Sequence, residues 1–105
     1  MIKTCIISEL IGVKVHGIVK VEDSIITYRY NALGEVRTAS VNIYELEHKC
    51  KQYLRDNEYL YVSHVNGYAY MWRWGKLYSF DNKHEYDSIF ALTEIAYELQ
   101  NKKGL

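Results

Sequence analysis

Proline is absent from this 105-residue sequence, so no turn is set by a proline ring and nothing forces a helix to kink. Cysteine is nearly absent. Cys5 and Cys50 fit no CxxC spacing, make no disulfide framework, and are expected to be reduced. An excess of either charge is missing too, with 13 Lys and Arg against 13 Asp and Glu and neither half polarised. Nucleic-acid binders draw most of their affinity from phosphate neutralisation and usually carry a basic excess, which this chain lacks. It also lacks the acidic excess of a nucleic-acid mimic. No apolar run approaches the roughly 18 residues of a membrane span. The apolar stretch Met1 to Ser8 is too short for a signal peptide, so a cytoplasmic location and no membrane association are expected.

The catalytic signatures are missing as well. The six glycines are scattered singly, with no GxGxxG, GxxxxGK[ST] or GxSxG. His16, His48, His64 and His84 show no HxH or HxxxH spacing, and no cysteine lies near enough to complete a metal site. No cofactor, metal or catalytic residue is therefore expected. Paired carboxylates such as Glu22-Asp23 and Glu45/Glu47 fall on a turn and on a solvated helix face.

What the chain does have is hydrophobic mass and tyrosine. Apolar residues reach 49% against 25% charged, which places it among globular chains. Its length bounds it to one domain over residues 1–105. There are 11 tyrosines, whose apolar ring and polar tip suit half-buried faces and interfaces.

Periodicity supplies the elements. Ile2 to Ser8 reads as a short strand. Ile11, Val13, Val15, Val19 and Val21 alternate with polar residues, a half-buried strand with Gly17 as a possible bulge. Ile25–Tyr30 and Val36–Val41 are further strands, separated by Asn31-Ala32-Leu33-Gly34. Asn42 caps a helix, with Glu45 completing a capping-box pattern. Its apolar stripe is Ile43, Leu46, Cys50 and Tyr53, with Leu54 beside it, and it stops near Asp56-Asn57. Strands fill residues 59–80. A second helix, capped by Asn82 or Asp87, carries Ile89, Leu92, Ala96 and Leu99 on its stripe. The expected fold is α+β, an antiparallel β-sheet of five to six strands with two amphipathic helices, in the order β-β-β-β-α-β-β-β-α. Tyr28-Arg29-Tyr30 echoes Trp72-Arg73-Trp74 at an offset of 44, but the helices do not align at that offset, so the repeat is one of element order.

Asn66-Gly67 is the strongest local signal, because Asn-Gly favours the type I′ turn of a two-residue hairpin. That turn sets Val65 against Tyr68, Ser63 against Tyr70, Tyr61 against Trp72 and Tyr59 against Trp74. One face then carries Tyr59, Tyr61, Tyr68, Tyr70, Trp72 and Trp74. The other carries Leu60, Val62, Met71 and Arg73. A second turn at Gly75-Lys76 adds Leu77 and Ser79 to the aromatic face and Tyr78 and Phe80 to the other. The aliphatic face suits helix packing and leaves the aromatic face open as a partner surface. The same register also allows a structural use, with helices or the first strands covering the aromatics.

The stretch Val41-Asn42-Ile43-Tyr44-Glu45-Leu46-Glu47-His48-Lys49-Cys50-Lys51 resembles a helix of small phage and prophage accessory proteins. Ile89-Phe90-Ala91-Leu92-Thr93-Glu94 resembles their C-terminal helix. The resemblance covers about a quarter of the chain and carries no catalytic motif. It implies a mobile-element protein that acts by binding a host enzyme or defence complex, anti-CRISPR inhibitors being one such class.

The expected function is non-catalytic protein binding through Tyr59, Tyr61, Tyr68, Tyr70, Trp72, Trp74 and Arg73. The partner is a host protein or complex, or a second copy in a homodimer. One alternative is a nucleic-acid-binding module using the same face with Arg29, Arg73 and Lys76, since bases stack on aromatics. Another is a small enzyme or toxin with a site assembled from isolated His and Tyr residues, which needs a pocket holding His64 or His16 beside a second ionisable group; a Cys–His pair such as His64 with Cys5 has nothing local to activate it.

Overall fold

The computed structural model describes residues 2–63, 68–73, 75–81 and 85–102. Its first element is a helix, α1 (Thr4–Ile11), where the sequence suggests a strand. Ile2, Ile6 and Ile7 are buried, with Leu10 and Ile11 packed beside them, which is helical spacing. A short Ile-rich run satisfies either period, and burial decides between them. Ser8 closes the helix: its hydroxyl donates to the Thr4 carbonyl at 2.9 Å and accepts from the Val15 amide at 2.9 Å. Lys3, just ahead of α1, lies 2.9 Å from Glu94 and 3.0 Å from Glu98. Hydrogen bonds to Glu94 and then Glu98 hold its ammonium protonated above the ordinary lysine range.

Three antiparallel strands follow, β1 (Val15–Glu22), β2 (Ile25–Ala32) and β3 (Glu35–Asn42), and lead into helix α2 (Ile43–Asp56). The pattern then recurs as β4 (Leu60–Ser63), β5 (Tyr68–Arg73), β6 (Lys76–Asp81) and α3 (Glu85–Lys102). The α+β class and antiparallel pairing are as expected. The single sheet and the two helices are not. Among the described residues there are three helices, and the strands form two three-stranded sheets, β1-β2-β3 and β4-β5-β6. Alternation identifies strands but says nothing of which sheet they join. The order βββα does occur twice, yet Tyr28-Arg29-Tyr30 sits mid-strand in β2 while Trp72-Arg73 ends β5, so that echo marks no equivalent positions.

The two hairpins of the first sheet have two-residue turns, Asp23-Ser24 and Leu33-Gly34, with positive φ at all four residues. Such turns are built for Asn-Gly; a leucine at φ 53° is strained, and Leu33 is 99% exposed. Leu33→Asn is expected to raise stability by about 1 kcal/mol, seen as a higher urea midpoint with unchanged slope.

Asn42 caps α2 through its side-chain oxygen, which accepts from the Tyr44 amide at 2.8 Å. Of the stripe read from sequence, Ile43, Leu46 and Cys50 are buried, as is Leu54 beside it, while Tyr53 is half-buried. At the other end Glu58 adopts φ 68°, the Glu58 amide donates to Arg55 and the Tyr59 amide to the Leu54 carbonyl at 2.8 Å. This is a Schellman ending without its glycine. In α3, Ile89, Leu92 and Ala96 are buried as expected, with Ser88, Phe90 and Thr93 beside them. Asp87 lies inside α3 and is not its cap; Asn82 lies outside the described residues.

The interior divides into two clusters. The larger joins α1, the first sheet, α2 and the start of α3; the smaller is Leu54, Tyr59, Met71, Leu92 and Ala96. Helices α2 and α3 pack together, and α3 also lies on β5 and β6. The molecule measures 45 × 37 × 16 Å. A thickness of 16 Å holds one layer of helices on one layer of sheet, about 10 Å apart, and no third layer. No described element therefore covers the outer face of either sheet.

Candidate interaction surface

The second sheet differs from the expected register by one residue. Leu60 pairs with Trp72, Tyr61 with Met71, Val62 with Tyr70 and Ser63 with Ala69. A two-residue Asn66-Gly67 turn demands Ser63 against Tyr70. A slip of one residue exchanges the faces of a whole strand. The turn at residues 64–67 lies outside the described residues, but the cause of the slip is visible at the other end of β4. The Schellman ending of α2 delivers Tyr59 into the smaller cluster, where it is 3% exposed. Burial of that ring fixes the strand's phase and overrides the local turn signal.

The expected turn at Gly75-Lys76 is shifted by two. Arg73 pairs with Lys76, Trp72 with Leu77, Met71 with Tyr78 and Tyr70 with Ser79. A slip of two preserves the faces, so Leu77 and Ser79 do share the side of Trp72, as the sequence suggests.

The outer face of this sheet is consequently a row of apolar side chains across three strands. Leu60, Trp72 and Leu77 stand side by side and are 69%, 45% and 54% exposed. Half-buried Tyr70 and exposed Ser79 form part of the adjoining row. None of these five side chains is charged. The helix-facing side holds Tyr59, Met71 and Tyr78. The outer face of the first sheet is more polar, although Val36, opposite Asn31, is 65% exposed on it. Thr27 and Ser40 share a hydrogen bond of 3.2 Å there, Lys20 pairs with Glu22 at 3.5 Å, and Arg29 is exposed opposite Thr38.

Of the partner-binding residues expected from sequence, Tyr70 and Trp72 lie on the bare face. Tyr59 does not; it is core. Arg73 is on the helix-facing side with it, its guanidinium 4.9 Å from the Tyr59 ring centre and one nitrogen 3.4 Å from the Tyr59 hydroxyl. Tyr61 pairs opposite Met71, not Trp72. The side chains of Tyr61, Tyr68 and Trp74 lie outside the described residues. Leu60, assigned from sequence to the helix-packing side, is the missed member of the surface, and only the register could have revealed it.

The three cations of the nucleic-acid reading do not share a face. Arg29 is in the first sheet, Arg73 stacks on Tyr59, and the Lys76 ammonium lies 5.3 Å over the Tyr78 ring on the same helix-facing side. Among the described residues tyrosine serves mainly the margins of the core. Tyr28 and Tyr59 are buried, and Tyr59 meets Tyr78 edge-on with ring centres 6.3 Å apart. Tyr86 bridges Tyr44 and Phe90 at 6.2 and 5.9 Å.

Candidate nucleophiles are poorly placed for chemistry. Burial pushes the Cys50 thiol up to about 12, an effect the Thr93 hydrogen bond partly opposes and Glu47 reinforces. Such a thiol is inert at neutral pH. Cys5 is exposed beside an open groove of about 540 Å³ between α1 and β1, but the neighbouring Ser8 hydroxyl is already held by Thr4 and Val15. His64 and His84 lie outside the described residues. Among the described residues no three His, Cys, Asp or Glu side chains are grouped to hold a metal ion, and no helix is long and apolar enough to cross a membrane. No family model, curated protein or solved structure matches the chain.

Proposed function

We propose that the chain is a protein-binding module whose contact surface is the outer face of the second sheet, centred on Trp72 with Leu60, Leu77 and Tyr70. One observation carries this reading: two sheets of the same molecule expose different kinds of face, one mixing hydroxyls and charges with exposed Val36, the other holding three large apolar side chains in register. An apolar patch continuous across three strands marks a surface that another protein covers. Trp is also the residue most enriched at interface hot spots. The likeness of the α2 and α3 sequences to phage accessory proteins suggests a host enzyme or defence complex as the partner and stoichiometric inhibition as the outcome.

The test is a comparison of wild type with Trp72→Ala/Leu77→Ala in affinity capture from host lysate, with Thr27→Ala/Ser40→Ala on the other sheet as control. The first variant is expected to lose the captured protein, a weakening of about 30-fold or more from the tryptophan alone, while its melting temperature stays close to wild type. The control is expected to retain it. Equal capture by all three proteins would remove this surface from consideration. Light scattering on the same samples separates capture from self-association: a dimer that dissolves on Trp72→Ala identifies the occupant as a second copy.

A further inference from the structure

We infer that a notch on the outer face of the first sheet binds an oxyanion, the carboxylate or phosphate group of a small ligand, on Arg29. The inference stands apart from the protein-binding surface, since it concerns the other sheet. Strand β2 pairs with β3 without a break from Ile25 to Ala32, whereas its pairing with β1 is broken twice, between Val15 and Gly17 and between Ile18 and Lys20. His16 and Val19 are the extra residues. Bulges of this kind bend an edge strand and re-aim its side chains, and they gather beside functional sites.

Between the two bulges Gly17 lies opposite Arg29. Its backbone is not left-handed, and a Cβ placed on it would meet nothing within 4 Å. Neither conformation nor crowding therefore requires glycine. What its bareness leaves is a cavity of about 290 Å³ lined by His16, Gly17, Ile18, Val19 and Arg29.

The polar groups around this cavity suit an anion. Arg37 and Lys20 of the same sheet are ion-paired, at 3.2 Å to Glu35 and 3.5 Å to Glu22. Arg29 is exposed and has no acidic partner among the described residues. Its planar guanidinium presents parallel N–H donors that match the two oxygens of a carboxylate or phosphate. His16 lines the cavity with it, and Thr38 is paired with Arg29 on the neighbouring strand β3. No carboxylate lines the notch, so a metal cation finds no charged oxygen there.

The test is a titration of the full chain with inorganic phosphate and, separately, acetate, followed by amide NMR at ionic strength held constant with sodium chloride. Saturable shifts confined to residues 16–19 and 29 are expected, with a dissociation constant on the order of 1 mM. Whichever anion saturates first names the group. Arg29→Gln is expected to weaken binding about tenfold or more, because a charge-assisted pair of hydrogen bonds is lost. Gly17→Val fills the notch and is expected to do the same while leaving the melting temperature unchanged or higher. Lys20→Gln should bind as wild type. Shifts that fail to saturate, that follow chloride equally, or that survive Arg29→Gln and Gly17→Val would overturn the assignment.

Discussion

Tyr59→Ala is expected to cost about 3–5 kcal/mol of folding stability, and Leu60→Ala, its immediate neighbour, less than about 0.5 kcal/mol. The contrast follows from the phase of β4. Tyr59 is 3% exposed within a small cluster of five buried residues, whereas Leu60 is 69% exposed. Deleting the ring leaves a cavity that Met71, Leu54, Leu92 and Ala96 are too few to collapse into. It also removes the aromatic face under Arg73 and the edge-on partner of Tyr78. Tyr59→Phe isolates the hydroxyl, which accepts a long 3.4 Å bond from Arg73, and is expected to cost about 1 kcal/mol or less. Urea unfolding of the three variants measures all of this. The register demanded by a two-residue Asn66-Gly67 turn gives the opposite order, with Leu60 in the core and Tyr59 in solvent. A larger loss at Leu60 than at Tyr59 would therefore show β4 slipped by one residue.

That one-residue difference locates the boundary of what the sequence discloses. Amphipathic periodicity is a property of one element at a time, and it was sufficient to find Leu46, Cys50, Ile89, Leu92 and Ala96 as buried stripe residues of α2 and α3, though not buried Ser88 and Thr93. It was sufficient for the faces of β5 and β6 as well, because a two-residue error in their turn returns each side chain to the same side. Properties shared between elements were less legible. The helical nature of residues 4–11 depends on Ile6 and Ile7 both finding a core, which a run of isoleucines does not reveal. The split into two sheets depends on α2 standing between β3 and β4. The Tyr-rich composition pointed to an interface, yet most of the described tyrosines line the interior or its margins, and the exposed surface rests on one tryptophan and two leucines. Trp72 and Tyr70 were legible as surface residues because their strand pairs were right in parity; Leu60 was not, because its strand was read one residue out of phase.

The second large effect is expected at high pH. Cys50 is fully buried on the seam between α2 and α3, and burial raises its thiol from an ordinary 9.0 to about 12. A folded state that holds its proton more tightly than the unfolded chain is favoured while both are protonated. The stability contributed is complete below pH 9 and is lost as pH climbs toward about 12. Three pH units correspond to a loss on the order of 4 kcal/mol over that window. The Tyr28 and Tyr53 hydroxyls are raised by burial as well and add loss of the same sign. Comparison with Cys50→Ala isolates the thiol. At neutral pH the variant is expected to be less stable by about 1–2 kcal/mol, for the atom removed from the core. Between pH 9 and 12 its stability should fall less steeply than wild type, so that the two curves meet and then cross, leaving the variant the more stable near pH 12. Thiol labelling supplies an independent reading: Cys5 should react at once, Cys50 only as fast as the α2–α3 seam opens. Parallel pH curves would mean that the Cys50 thiolate reaches water without unfolding. They would also mean that the seam joining the two βββα units is looser than its fully buried residues Leu46, Cys50, Thr93 and Ile89 indicate.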